Sequence, residues 1–365
     1  MPDFVKGLEL SRLFFEEAVR PVLDADFPRL AYAAARLHTG SEVLGFDDET
    51  SADHCWGPRV DLFLSEEDYA ASRRAVDEAL RAKLPHAFRG YPTDFGDPDP
   101  EDNGTFRLEL KADGPVNHKV ELTTPRRFFL HYLAFDIGRD IEPADWLTFP
   151  EQKLRTVASG HVFRDRVGLE AIRRRFSYYP RDVWLYLLAS AWARVGQEEH
   201  LMGRAGMVGD ELGSALIGAR LVRDLMRLCF LMERVYAPYP KWFGTAFARL
   251  ACADALSPAL RAALAATSWQ ERERHLARAY RQVAAMHNAL GLTDPLPVEP
   301  RDFFGRPLKV IALHGFADAL LARIDDDAVR RIAARHPIGS LDQFSDSTDL
   351  VSHAEWRATL RKLYE

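Results

Sequence analysis

A glycine–serine pair followed by a group of acidic residues is the first feature of this sequence that suggests chemistry. Gly40-Ser41 closes an apolar segment, and Asp53 follows after a short loop rich in carboxylates. Backbone N–H groups in a Gly-Ser turn can donate to phosphate oxygens. Acidic residues two positions apart on a strand point to the same face and can reach the same metal ions. Nucleotidyl transfer needs both features, so we predict that Gly40 and Ser41 bind phosphate and that Asp53 binds Mg²⁺.

This pattern resembles the DNA polymerase β-type nucleotidyltransferase superfamily, whose signature is Gly-Ser, then Asp-x-Asp, then an acidic residue on a neighbouring strand. Gly40 and Ser41 match the first element, Asp53 matches the first aspartate, and Cys55 occupies the place of the second. Glu121, in Lys119-Val-Glu-Leu, is our choice for the remaining carboxylate. The alternative for Glu121 is the solvent face of an alternating strand.

A closer resemblance extends over nearly the whole chain, to a bacterial family of unknown function called DUF4037. The segments that carry it are Asp53-His-Cys-Trp-Gly-Pro-Arg, Tyr179-Pro-Arg-Asp-Val-Trp-Leu-Tyr, Gln197-Glu-Glu-His, Val208-Gly-Asp-Glu-Leu-Gly-Ser, Arg220-Leu-Val-Arg-Asp-Leu-Met-Arg-Leu, Ala237-Pro-Tyr-Pro-Lys-Trp-Phe-Gly-Thr and Asp346-Ser-Thr-Asp. The usual motif of that family reads Asp-His-Asp-Trp-Gly-Pro, and the family is grouped with the nucleotidyltransferases. The resemblance therefore implies the superfamily and supplies no substrate.

The cysteine at position 55 departs from that motif. Mg²⁺ is a hard cation that prefers oxygen ligands, whereas a thiolate suits softer metals. Asp61 lies roughly 20 Å further along an extended strand at about 3.3 Å per residue, which is too far for it to replace the missing ligand unless Gly57-Pro58 folds the strand back. Acidic residues at 47 to 49 lie in the loop and could reach inward. Retained transfer and impaired catalysis both stay open.

Further candidate residues lie beyond this stretch. Arg59 follows Gly57-Pro58 and is a candidate phosphate ligand, as is Lys241 in a proline-bounded turn. Either Glu198 or Glu199, at the end of a long helical segment, could act as a general base for an acceptor hydroxyl, and we choose Glu199. The alternative for each glutamate is a solvated helix end.

Three arginines accompany Asp224 on one apolar helical segment: Arg220, Arg223 and Arg227. Spacings of three and four residues place side chains on neighbouring positions of a helix. They could form a phosphate-facing basic patch or a structural ion-pair network. Because the segment is otherwise apolar, we favour the ion-pair network.

The elements that must position these residues can be predicted from periodicity. Residues 6–37 favour helix in two pieces, including the alanine-rich segment 30–37. Alternation predicts strands at 59–64, 105–110 and 118–124, with Asp53-x-Cys55 at the start of the first of them. A helix is expected at 66–84 with Ser65 as its cap. These strands suggest a mixed sheet.

Beyond residue 145 strand signals nearly stop, and helices are expected at 182–201, 209–235, 240–255 and 269–290. We therefore predict an α+β chain with two domains: a nucleotidyltransferase-like mixed sheet with helices at 1–145, and an all-helical bundle at 146–365. The active site is expected in the cleft between them.

Composition limits the class of partner. The chain has 365 residues, a formal net charge of −6 and three cysteines, and its pI is near 6.1. This balance gives no overall attraction for nucleic acid or anionic membrane, and the apolar windows are too short to span a bilayer. We expect a cytoplasmic protein without a disulfide framework.

These observations lead to one functional prediction and one alternative. The prediction is metal-dependent transfer of a nucleoside monophosphate from a nucleoside triphosphate to an unknown acceptor, with Mg²⁺ or Mn²⁺ held by Asp53 and Glu121. The alternative is a catalytically impaired protein that binds a nucleotide or a partner, because Cys55 replaces a metal-binding aspartate.

Overall fold

The computed structural model describes residues 4–52, 54–102 and 104–365. Asp53, the predicted metal ligand, lies outside the described residues. The chain divides into two compact units: unit 1 comprises Met1–Asp140 and Lys153–Ser177, and unit 2 comprises Ile141–Gln152 and Tyr178–Glu365. The chain thus leaves unit 1, returns to it and leaves again.

The helices and strands follow in chain order. The first are α1 (Gly7–Phe14), a π-helical segment (Phe15–Val19), α2 (Arg20–Asp26), β1 (Tyr32–Arg36), a 3₁₀ turn (Thr50–Ala52), β2 (Arg59–Leu64), α3 (Glu66–Lys83), β3 (Ala87–Phe88), β4 (Tyr91–Pro92), β5 (Asp94–Phe95), β6 (Leu108–Glu109), β7 (Lys119–Thr123) and α4 (Pro125–Leu133). Then come α5 (Pro143–Thr148), α6 (Glu151–Ser159), β8 (His161–Arg164) and α7 (Leu169–Arg174).

The rest of the chain is mainly helical. Its elements are α8 (Arg181–Met207), α9 (Glu211–Met232), α10 (Pro240–Phe247), α11 (Ala253–Ala265), α12 (Trp269–Ala289), β9 (Arg301–Phe303), β10 (Arg306–Val310), a 3₁₀ turn (Ala312–His314), α13 (Phe316–Leu321), α14 (Asp327–Ala333), α15 (Leu341–Phe344), α16 (Thr348–Ser352), a 3₁₀ turn (Ala354–Trp356) and α17 (Arg357–Arg361).

A four-stranded mixed sheet organises unit 1, with the strand order β7-β2-β1-β8. Strand β2 runs parallel to β7 and antiparallel to β1, and β1 is also antiparallel to β8. Helix α1 packs against this sheet through Leu10 and Phe14, which are fully buried. The sheet, together with the helical part that follows, confirms the predicted α+β class.

The predicted helix at 30–37 is wrong, because this segment contains β1. All five residues of β1 are buried, and the strand has hydrogen-bonded neighbours on both edges. Alanine has the highest intrinsic helix propensity, but such propensities are small and a position inside a sheet overrides them. The sequence reading also missed β8, which is only four residues long.

Other expectations had mixed outcomes. Helix α3 is capped by Ser65, whose side chain accepts a hydrogen bond from the Asp68 N–H at 3.0 Å, as predicted. The predicted strand at 105–110 shrinks to two residues in β6. The predicted single helix at 240–255 is instead two helices, since α10 ends at Phe247 and α11 begins at Ala253.

Candidate functional site

The turn that follows β1 contains the predicted phosphate ligands. The Phe46 N–H donates to the Ser41 carbonyl at 2.9 Å, and the Gly45 N–H donates to the Glu42 carbonyl at 3.1 Å. A Cβ atom on Gly40 would overlap the carboxylate of Glu42. A larger residue at position 40 would therefore have to displace the Glu42 carboxylate.

Behind this turn lies a buried charge cluster formed by Arg36, Glu42, Arg59 and Asp61. These residues are 2%, 4%, 9% and 4% exposed. Arg36 donates from Nη2 to Glu42 Oε1 at 2.8 Å and from Nη1 to both oxygens of Asp61 at 3.3 Å. Arg59 donates from Nη2 to the same Glu42 oxygen. Two guanidinium groups thus face two carboxylates inside unit 1.

The charges in this cluster depend on one another. Burial by itself opposes ionisation of Glu42, but Arg59 and Arg36 outweigh it and lower the pKa of its carboxyl group. Burial, followed by the like charge of Arg36, lowers the pKa of Arg59. Because a buried charge without its partner costs several kcal/mol, the four side chains must be retained or lost together.

Arg59, a predicted phosphate ligand, is part of this cluster. Its Nη2 group is used by Glu42, and its buried Nε atom has no hydrogen-bond partner among the described residues. A phosphate contact would therefore have to be added beside the pair with Glu42. The role of Arg59 in phosphate binding stays a prediction.

Asp61 joins the turn to the strand that carries Glu121. Its Oδ2 atom accepts the Leu37 N–H at 2.9 Å, which holds the chain just before the Gly40-Ser41 turn. In the sheet, Asp61 on β2 is the register partner of Glu121 on β7. Residues opposite each other on adjacent strands share one face of the sheet. The structure thus brings the turn, Asp61 and Glu121 to one part of unit 1.

The side chain of Glu121 is exposed, unlike that of Asp61. Part of the Glu121 carboxyl group is nevertheless covered by protein, and this partial desolvation, followed by the negative charge of Asp61, raises its pKa. A cation beside these carboxylates would relieve that repulsion. The fit to Mg²⁺ is nevertheless partial, because both oxygens of Asp61 are taken by Arg36, and the described part of the chain contains no cluster of three or more metal-binding side chains.

The segment around Cys55 differs from expectation. Residues 54, 55, 57 and 58 lie in bends and strand β2 begins only at Arg59, so the prediction that Cys55 lies at the start of this strand is wrong. Cys55 has φ +49° and Gly57 has φ +139°, values that turn the chain away from an extended path. The Cys55 N–H donates to the Phe106 carbonyl at 2.9 Å, which fixes this turn.

Two of the three loop carboxylates that could have replaced the missing ligand have structural partners. Asp47 is buried and accepts the Gly7 N–H at 2.6 Å, at the start of α1. Asp48 accepts the Ser51 N–H at 2.8 Å, and its own N–H donates to the Ser51 hydroxyl at 2.7 Å. Both side chains therefore stabilise the loop itself.

His38 was missed by the sequence reading, although it lies two residues before Gly40. Burial, reinforced by the charges of Arg36 and Arg59 against the opposing Asp61, lowers the pKa of His38 to about 4. Its Nδ1 atom lies 3.2 Å from the Thr39 hydroxyl. A neutral imidazole at this position can hydrogen-bond to a ligand at neutral pH but is a weak base.

Two predicted site residues lie in unit 2. Glu199 on α8 is buried, and its carboxylate accepts the N–H groups of Ile311 at 2.7 Å and Ala312 at 3.1 Å. Burial raises the pKa of Glu199 to about 7, against the effect of these hydrogen bonds. Lys241 lies in the first turn of α10, with its Nζ atom 5.2 Å from the centre of the Trp242 ring. Glu199 is thus not at a solvated helix end, and the roles predicted for Glu199 and Lys241 stay predictions.

Comparison with known proteins agrees with the resemblance found in the sequence. A family model described as a domain of unknown function (DUF4037) matches residues 146–243, so the suspected resemblance is confirmed over that segment. No curated protein matches the chain. Among solved structures, the chain is similar to a nucleotidyltransferase-like protein from Exiguobacterium sibiricum, with a TM-score of 0.31 and 10% identity, covering 76% of this chain and 77% of that one.

Within the residues that the structure describes, no helix combines the length and the apolar character needed to cross a bilayer.

Proposed function

We propose that this protein is a nucleotidyltransferase that binds a nucleoside triphosphate in unit 1 and transfers its nucleoside monophosphate to an acceptor hydroxyl. The observation that carries the proposal is the grouping of the Gly40-Ser41 turn with Asp61 and Glu121 through the Leu37–Asp61 hydrogen bond and the β2–β7 register. A phosphate-binding turn beside carboxylates on adjacent strands is the arrangement that such transfer requires.

The proposed roles follow from the positions of the described residues, and that of Asp53 follows from the sequence motif alone. Backbone N–H groups of the turn would hold phosphate oxygens, with neutral His38 as a further donor. Glu121 and Asp53 would hold Mg²⁺, which neutralises charge on the phosphates. The acceptor oxygen would bond to the α-phosphorus as the bond to pyrophosphate breaks, and catalysis would rest on positioning and charge stabilisation.

A second candidate is nucleotide binding without transfer. It is favoured by the cysteine at position 55 and by the use of both Asp61 oxygens by Arg36. The remaining carboxylates could then be too few to hold two metal ions, and binding would persist while the chemical step failed.

Calorimetric titration of the four common nucleoside triphosphates, with Mg²⁺ and then Mn²⁺, separates these candidates. The titrated proteins are the natural chain, Cys55→Asp, and Cys55→Asn as a control of similar shape without the charge. Metal-dependent binding by the natural chain, together with pyrophosphate release in the presence of a suitable acceptor, supports transfer.

Other outcomes lead elsewhere. The second candidate is supported if the natural chain binds nucleotide without releasing pyrophosphate and only Cys55→Asp releases it. Absence of binding by the natural chain and both variants would remove the nucleotide hypothesis. A Glu121→Gln variant should weaken metal-dependent binding, because it removes the exposed carboxylate beside Asp61.

A further inference from the structure

A cavity of about 730 Å³ lies within unit 2, between α8, α9 and the segment before and after α15. Its size falls within the range of sites for small molecules, roughly 300–1,000 Å³. Arg194 from α8, Arg220, Arg223 and Asp224 from α9, and Asp346 from the segment after α15 are among the residues that line it. The nucleotide site proposed above does not include any of them.

The arginines of this cavity are partly exposed and paired with carboxylates. Arg223 makes a bidentate contact with Asp346, and Arg220 contacts Glu198. Arg194 Nη2 lies 3.1 Å from the same Glu198 oxygen. A guanidinium group carries five N–H donors, so a pair with one carboxylate leaves donors for a ligand.

Two carboxylates beside these arginines are incompletely satisfied: Asp224, which lines the cavity, and Glu198, which contacts Arg194 and Arg220. Asp224 Oδ2 and Glu198 Oε2 are buried, and neither has a hydrogen-bond partner in the described part of the chain. Arg194 Nε lies 3.5 Å from Asp224 Oδ2. Burial, with Arg194 opposing and Glu198 adding, raises the pKa of Asp224 to about 6. A polar ligand group could therefore stabilise this side of the cavity.

We propose that this cavity binds a small ligand through a phosphate group held by the guanidinium groups of Arg220 and Arg223. The two side chains are three residues apart on α9, so they lie on the same face of the helix. A phosphate dianion has three free oxygens and can accept hydrogen bonds from two guanidinium groups, whereas a carboxylate can accept bidentate hydrogen bonds from only one. Asp346 is exposed, so the phosphate can displace its carboxylate from Arg223.

The cavity is much larger than an inorganic phosphate ion, so the ligand has further atoms. Asp224 is placed to accept a hydrogen bond from a hydroxyl or amino group of that remaining part. The three arginines of α9 are in ion pairs, as predicted, but their partners lie outside that helix: Glu198 for Arg220, Asp346 for Arg223 and Glu151 for Arg227. Asp224 instead lies beside Arg194. The phosphate role is inferred from the cavity that Arg220 and Arg223 line.

Binding can be tested with inorganic phosphate as the probe. The full chain is titrated into phosphate, and the width of the ³¹P NMR line is measured. We expect a Kd of about 1 mM or tighter. Arg220→Gln and Arg223→Gln should each weaken binding by roughly tenfold or more, as expected for charge-assisted hydrogen bonds. Arg181→Gln is the matched control, since Arg181 is 53% exposed and Arg220 is 54% exposed, and Arg181 pairs with Asp182 and does not line this cavity.

Several results would overturn the proposal: no binding at tens of millimolar phosphate, equal binding in Arg220→Gln and Arg223→Gln, or equal binding of acetate. Circular dichroism checks that each variant folds. If Arg223→Gln does not fold, Arg223→Lys replaces it, because lysine keeps the positive charge and loses the paired donors of the guanidinium group. Phosphate binding here should survive Glu121→Gln, so a failure of this proposal can be told apart from a failure of the nucleotide proposal.

Discussion

Replacement of Glu42 by glutamine tests whether the buried charge cluster stabilises the Gly40-Ser41 turn. Glutamine keeps the shape of the side chain and removes its charge. Arg36 and Arg59 would then share Asp61 as their one remaining partner within the cluster. Breaking a buried ion pair by removing one partner costs about 3–5 kcal/mol. Glu42 meets the condition for the full cost, since it is 4% exposed.

The assay is hydrogen–deuterium exchange of the amides in β1 and β2, because exchange reports the opening free energy of unit 1 by itself. The control is Glu9→Gln, which breaks the pair with Arg12 on α1. Those side chains are 48% and 40% exposed, so the loss should stay below about 1 kcal/mol. Equal losses for the two variants, or a loss below about 1 kcal/mol for Glu42→Gln, would refute the reasoning.

Further predictions concern close contacts and pH. Gly40→Ala should destabilise unit 1 by about 1–3 kcal/mol, because the added methyl group overlaps the Glu42 carboxylate. The control is Gly244→Ala on α10, where a Cβ meets no atom within 4 Å, and this variant should be neutral or stabilising. The melting temperatures of the two variants test the difference. The pKa of Glu199 is raised in the folded state to about 7 from 4.5, so the folded protein binds this proton more tightly than the unfolded chain does. The free energy of unfolding should therefore fall by about 3 kcal/mol as pH rises from 4.5 to about 7. Urea unfolding at pH 5 and pH 8 should show this fall in the natural chain relative to Glu199→Gln, and a constant difference would show that the two backbone donors keep the carboxylate ionised.

The sequence predicted the fold class because periodicity is strong in the long helices and in β2. It failed at β1, where Tyr-Ala-Ala-Ala-Arg has no strand signal of its own and is a strand because β2 and β8 lie on its two edges. That position depends on residues 59–64 and 161–164, far away in the chain. Local preference contains no information about such partners.

The site was predicted in part for a similar reason. Gly40, Ser41 and Glu121 could be named from their motifs, but Asp61 was set aside on the assumption of one continuous strand from residue 53. The turn at Cys55 and Gly57 invalidates that assumption, and the register places Asp61 beside Glu121. The pairing of Arg36 with Asp61 spans 25 positions and depends on the same register. Residue type identified the candidates, and sheet register decided their neighbours.

The backbone at position 55 allows a last prediction. Cys55 has φ +49°, a region that asparagine and aspartate enter several times more often than other residues with side chains. Cys55→Asp and Cys55→Asn should therefore melt at or above the temperature of the natural chain, while Cys55→Val should melt lower, because a β-branched side chain clashes with the backbone there. If Cys55→Asn instead melts well below the natural chain, the turn requires the cysteine itself. If the prediction holds, the turn accepts the aspartate of the Asp-His-Asp-Trp-Gly-Pro motif without strain, so any gain of nucleotide binding in Cys55→Asp reports the added carboxylate and not a repaired fold.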